Sequence, residues 1–153
     1  MDLILWRHAE AFDSSDSGDD LDRALTPKGE RQAKKMAAWL GQNLPSSTKV
    51  LSSPARRCQQ TAHALDRKFK TVDALAPDGT VDNLLAAVRW PEAREPVLVV
   101  GHQPTLGLTA AYLMAGVMMP WSVRKGAVWW LRSRQRATGG EIVLVTVRGP
   151  DNV

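Results

Sequence analysis

A single cysteine, Cys58, is all that this chain of 153 residues carries. That excludes an intrachain disulfide and any cysteine-cluster zinc site, and it fits a reducing compartment, so a cytoplasmic location is expected. No basic stretch precedes the first apolar run, Leu3-Ile4-Leu5-Trp6, which is also too short for a signal peptide. Long hydrophobic segments are missing too. Gln103 to Val123 holds no charged residue, yet Gly107, Gly116 and Pro120 interrupt it, and its apolar part falls short of the roughly 20 residues a membrane span requires. It reads as a core helix. Charge of either sign is modest, with a net +4. No basic stretch is interleaved with aromatics, so a nucleic-acid partner is not expected. Repeats, linkers and an Asp/His metal constellation are likewise absent. One domain over residues 1–153, without metal or cofactor, is the expectation.

What is present is a regular alternation of elements. Leu3 to Trp6 reads as a buried strand. Thr26-Pro27 supplies an N-cap and a first-turn proline, opening a helix from about Pro27 to Asn43 with Ala33, Met36, Ala37 and Leu40 on its apolar face. Lys49 to Ser52 is a second strand, Ala55 to Lys68 a second helix, Thr71-Val72 a short strand and Val81 to Arg89 a third helix. Pro96 to Val100 is the clearest strand, β-branched and uncharged. A helix follows from about Thr105, and Ala127–Leu131 and Ile142–Val147 form a closing pair around Thr138-Gly139-Gly140. This order predicts an α/β fold: a three-layer α/β/α sandwich with a mostly parallel sheet and an antiparallel edge. Trp129 and Trp130 must then face opposite sides of their strand. The acidic, Ser-rich stretch Asp13 to Asp22 is expected to be a mobile, solvated loop.

Three strands pass directly into polar residues. Arg7-His8 follows the first, Ser52-Ser53-Pro54-Ala55-Arg56-Arg57 the second, and Gly101-His102 the strongest. Open α/β sheets bind ligands at the carboxyl ends of their strands, where helix starts offer free N–H groups to anions. Two imidazoles and arginine forks converging there suit a phosphoryl group. A neutral imidazole nitrogen attacks phosphorus in line, giving a phosphohistidine that water then hydrolyses, while guanidinium groups neutralise the equatorial oxygens.

Leu5-Trp6-Arg7-His8-Ala9-Glu10 resembles the RHG/RHA signature of the histidine phosphatase superfamily, with Ala9 where many members have Gly. Arg23-Ala24-Leu25-Thr26-Pro27-Lys28-Gly29 resembles that family's R-x-L-T-x-x-G turn into its first helix. Ser53 to Thr61 resembles S-P-x-x-R-x-x-Q-T, and Gly101-His102-Gln103-Pro104 its second-histidine motif. The resemblance implies a phosphoglycerate-mutase-like fold, His8 as the nucleophile, and Arg7, Arg57 and His102 as the phosphoryl grip. It places the phosphate role on Arg57 and not on Arg56. Arg23 would order the pocket mouth or make a contact where the helix begins.

The small size and lack of insertions resemble the SixA-type phosphohistidine phosphatases of that superfamily. Larger relatives carry an acidic donor in an inserted loop, which here is only Leu75-Ala76-Pro77-Asp78-Gly79. Asp78 and Glu10 are the candidate proton donors, with Asp13 a further one. An alkyl alcohol needs a strong acid to leave, whereas imidazole, with a pKa of roughly 6.5, does not. The expected substrate is therefore phosphohistidine on a protein. A small phosphorylated molecule, or a phosphate-binding module without turnover, are the alternatives. Cys58 is no rival nucleophile, because a Cys-x5-Arg loop would need arginine where Ala64 stands.

Overall fold

A computed structural model of the chain describes residues 1–137 and 139–153. Its six strands form one sheet in the order β3-β2-β4-β1-β5-β6. These are β1 (Asp2–Arg7), β2 (Lys49–Ser52), β3 (Lys70–Thr71), β4 (Val97–Gly101), β5 (Val128–Arg136) and β6 (Gly139–Arg148). The first four run parallel, and the β5–β6 hairpin adds an antiparallel edge beside β1. The helices are α1 (Pro27–Asn43), α2 (Arg56–His63), α3 (Val81–Val88) and α4 (Thr105–Ala115). This is the expected three-layer α/β/α sandwich, with a mostly parallel sheet and an antiparallel edge.

Alternation along the strands builds two cores. Ile4, Trp6, Val50, Leu98, Val100 and Trp130 point to one face and meet Met36, Leu40, Cys58 and Ala62 of α1 and α2. Leu3, Leu5, Val97, Val99 and Leu131 point to the other and meet Leu84, Val88, Leu106 and Ala110 of α3 and α4. β4 is paired at both edges by β1 and β2 and covered on both faces by the helix layers, so all five of its residues are buried. That is why it carries no polar side chain. Trp130 packs edge-on against Trp39, while Trp129 turns to the opposite core beside Trp121. Among the described residues no helix is long and apolar enough to cross a membrane.

The start of α1 is tied to the loop behind β1. Thr26 Oγ1 accepts from the N–H of Gly29, and the Thr26 N–H donates to the carbonyl of Glu10. A Cβ on Gly29 would run into that same carbonyl. Gly29→Ala is therefore expected to lower stability by about 1–3 kcal/mol, read as a lower urea midpoint. An unchanged midpoint would mean that α1 shifts away without penalty.

Three expectations need correction. The second helix stops at His63, not Lys68. Turns from Ala64, Leu65 and Asp66 back to Thr61, Ala62 and His63 tighten its end, and Asp66 takes a left-handed φ of 53°. Ala62, Leu65 and Phe69 keep a helical spacing without continuing the helix. The closing hairpin is longer than expected, because alternating Arg132 and Arg134 are tolerated where one face is wet; Thr138, which the sequence reading placed between its strands, lies outside the described residues. Finally, the acidic stretch is not simply solvated. Asp19 caps a 3-10 turn at Asp20–Asp22, and Asp20 reaches into the site described next.

Candidate active site

Register assembles the site. Arg7 lies beside Gly101, and Ser52 beside Val100, so His8, Ser53 and His102 leave adjacent strands at one carboxyl edge. The His8 and His102 rings stand 5.3 Å apart, tilted by 59°, and both are buried. His8 Nδ1 lies 2.7 Å from the carbonyl of Ala9. A carbonyl only accepts, so Nδ1 carries the proton and Nε2 is left with a free lone pair. Burial, with a further push from Arg57 and Arg7, lowers the His8 pKa to about 4 despite the Ala9 bond. Burial, His8 and Arg57 take His102 down to about 3. Both rings are neutral at pH 7.

The unfolded imidazoles titrate at 6.5, the folded ones at about 4 and about 3, so between these values the unfolded chain binds more protons. Stability present above pH 6.5 is lost as the pH falls toward 4. In His8→Gln the acid-side fall in Tm is expected to be shallower than in wild type. A wild-type slope would contradict a buried neutral His8.

The arginines flank the rings. Arg57 rises from the first turn of α2, buried at 4% exposure, with Nη2 3.5 Å from His102 Nδ1. An arginine only donates, which leaves the His102 proton on Nε2, 2.7 Å from Ser53 Oγ. Arg7 is half-buried, its pKa lowered by burial, and its Nη1 donates to the carbonyl of Val123 at 3.0 Å. The Nε atoms of Arg7 and Arg57 are buried donors with no protein partner. Two guanidinium groups close enough to the His8–His102 pair to depress both rings offer planar N–H forks that fit a tetrahedral oxyanion. Among the described residues, no three His, Cys, Asp or Glu groups gather to hold a metal ion.

Neighbouring motif residues hold this arrangement. Thr61 Oγ1 accepts from the Ala9 N–H and donates to the Arg57 carbonyl. Gln60 Oε1 accepts from the Leu25 N–H at 2.7 Å, tying α2 to the run-in of α1. Gln103 bridges the Trp121 carbonyl and the Gly107 N–H, which fixes the start of α4 behind His102. Cys58 lies 3.4 Å from His102 Nε2, and burial pushes its thiol up to about 12, so it stays protonated.

The acid candidates fall apart from one another. Glu10 accepts from Thr26 Oγ1 at 2.7 Å. Asp78 is exposed in the turn before α3, whose Ala76 and Gly79 line a small cavity with His102. Asp13 lines a separate surface cavity with Asp19, Asp20 and Arg23. Arg56 is exposed and reaches Asp22 at 3.6 Å. Arg23 sits at the mouth, bonded to Asp20 at 2.9 Å and to the Phe12 carbonyl at 2.6 Å. Sequence reasoning missed Asp20, whose carboxylate lies 3.1 Å from Arg57 Nη2. Its position three residues before Arg23 was the one available signal.

Fold and site together define a histidine phosphatase architecture, and comparison with known proteins agrees. The pattern of the Histidine phosphatase superfamily (branch 1) matches residues 3–78. Phosphohistidine phosphatase SixA of Escherichia coli (strain K12) is 30% identical over 128 residues, 78% of each chain. The solved structure of the protein histidine phosphatase SixA complexed with tungstate superposes with a TM-score of 0.81 at 26% identity, covering 99% of both chains. That of the putative SixA from Nakamurella multipartitia gives 0.77 at 32%, covering 97% of this chain and 95% of the other. The chain belongs to the histidine phosphatase superfamily.

Proposed function

We propose that this phosphatase removes phosphoryl groups from phosphohistidine on proteins, through a phosphorylated His8. The observation that carries the reading is the neutral His8, held by Ala9 through Nδ1 so that Nε2 keeps its lone pair, in a ring 5.3 Å from that of His102 and within reach of the Arg57 charge. Nε2 attacks phosphorus, the new N–P bond forms as the bond to the leaving group breaks, and water later returns the phosphoryl group as inorganic phosphate. Arg57 and Arg7 spread the charge of the equatorial oxygens through fixed N–H groups. His102, neutral, accepts from Arg57 on Nδ1 and keeps its Nε2 proton on Ser53, which steadies the Arg57 fork beside the phosphoryl group. The tungstate bound by SixA is a tetrahedral oxyanion of the kind this grip suits.

The carboxylates support this substrate class. Arg23 first, then Arg57, holds Asp20 below the usual carboxylate range, so it is ionised and no proton donor. Glu10 is engaged by Thr26. A leaving group that needs no strong acid is favoured, which points to imidazole over an alkyl alcohol. The lone thiol supports a cytoplasmic setting. Turnover of a phosphohistidine protein is expected to exceed that of an alkyl phosphate by about 100-fold in kcat/KM. A faster alkyl rate would replace this reading with a small-molecule phosphomonoesterase, Asp78 then being the acid to test.

A further inference from the structure

Arg57 has a partner whose place the substrate must take. The main-chain carbonyl of Asp20 accepts from Arg57 Nη1 at 2.8 Å and its carboxylate from Nη2 at 3.1 Å. One residue thus covers the outer end of the guanidinium, while Nε, on the buried side, has no protein partner. Asp20 is held there from two directions. Asp19 caps its 3-10 turn through the Leu21 N–H at 3.0 Å, and Arg23 Nη1 bonds the second carboxylate oxygen at 2.9 Å. The Asp20 side chain is 54% exposed, and a cavity of about 170 Å³ lined by Asp13, Asp19, Asp20 and Arg23 opens over it. The carboxylate therefore stands between the phosphoryl seat and solvent. In-line displacement sends the leaving group away from the buried His8, and Asp20 is the carboxylate at the exposed end of the Arg57 fork.

We propose that Asp20 selects the leaving group: released from Arg57 by the incoming phosphoryl oxygens, its carboxylate accepts a hydrogen bond from the distal N–H of the departing imidazole. The proposal rests on the phosphohistidine reading above. A phosphorylated imidazole that is protonated on its distal nitrogen carries a positive ring. When His8 Nε2 bonds to phosphorus, the substrate P–N bond breaks and its electron pair returns to that nitrogen. Neutral imidazole leaves with the distal proton in place, and the step consumes no proton. What it needs is a counter-ion that keeps the distal nitrogen protonated, and a carboxylate supplies that through a charge-assisted bond. The same charge repels leaving groups that bear a carboxylate, such as phosphorylated hydroxy acids.

Asp20→Asn keeps the size of the side chain and removes its charge. On free phosphohistidine, kcat/KM is expected to fall about tenfold. On phenyl phosphate, whose leaving group has no N–H, it is expected to hold or rise, and vanadate is expected to bind at least as tightly, because Arg57 loses a competitor. Asp22→Asn alters the same turn at a residue paired with Arg56, and is expected to stay within about twofold on both substrates. Equal losses on both substrates in Asp20→Asn would make Asp20 a mere support for Arg57. Unchanged phosphohistidine turnover would leave it no part in selection. Either result overturns the proposal. Wild-type enzyme that cleaves phenyl phosphate but not phosphohistidine would instead overturn the underlying substrate reading, and this inference with it.

Discussion

Alanine in place of His8 is expected to reduce turnover of every phosphoryl substrate by at least about 10⁴-fold, the scale on which losing a covalent nucleophile acts. No described neighbour can replace it. His102 directs Nδ1 toward Arg57 and commits its Nε2 proton to Ser53, while the Cys58 thiol stays protonated behind it. Structure should survive the change, since what His8 adds to the fold is one bond to its neighbour's carbonyl and a desolvated ring. Steady-state rates with a phosphohistidine protein, alongside Tm, check both parts. A loss below about tenfold would mean that another group takes the phosphoryl group.

Arg57→Lys has the second-largest expected effect, a fall in kcat of about 10²- to 10³-fold, as for loss of one preorganised oxyanion donor. Lysine keeps the charge but not the planar fork. Arg57 uses that fork in several directions at once, with Nη2 toward His102 and Asp20 and Nη1 on the Asp20 carbonyl, the outer positions the phosphoryl oxygens would take over. One ammonium cannot hold these directions together. Vanadate affinity should weaken in step with kcat, because both report grip on a charge-spread, trigonal-bipyramidal phosphorus. Full activity in the lysine variant would show that charge alone suffices and that the fork geometry is incidental.

How far the sequence foretold this molecule varies by element. β1 and β4 were legible because strands buried on both faces are continuous apolar runs, and their shortness, with the β-branched residues of β4, argues against a buried helix. The polar exits of β1, β2 and β4 made His8, Arg7, Arg57 and His102 legible as candidates, since parallel neighbours put those exits at one edge. Choosing Arg57 over Arg56 depended on family resemblance. The structure gives the local reason, with Arg57 buried toward His102 and Arg56 turned out to Asp22. The end of α2 was hidden because Leu65 and Phe69 continue a helical spacing that the chain satisfies with turns and a left-handed Asp66. Asp20 was hidden for a different reason. Composition marks its segment as solvated, and only the tertiary approach of α2 gives one of those aspartates a buried arginine to meet.

Trapping the phosphoenzyme tests the central claim most directly. Wild-type protein is mixed briefly with a labelled phosphohistidine donor, quenched in alkali and mapped by peptide. The label is predicted on His8, stable to base and lost in acid, and absent from His8→Ala. Label on any other residue, or full turnover with no phosphorylated histidine at any time, would contradict it.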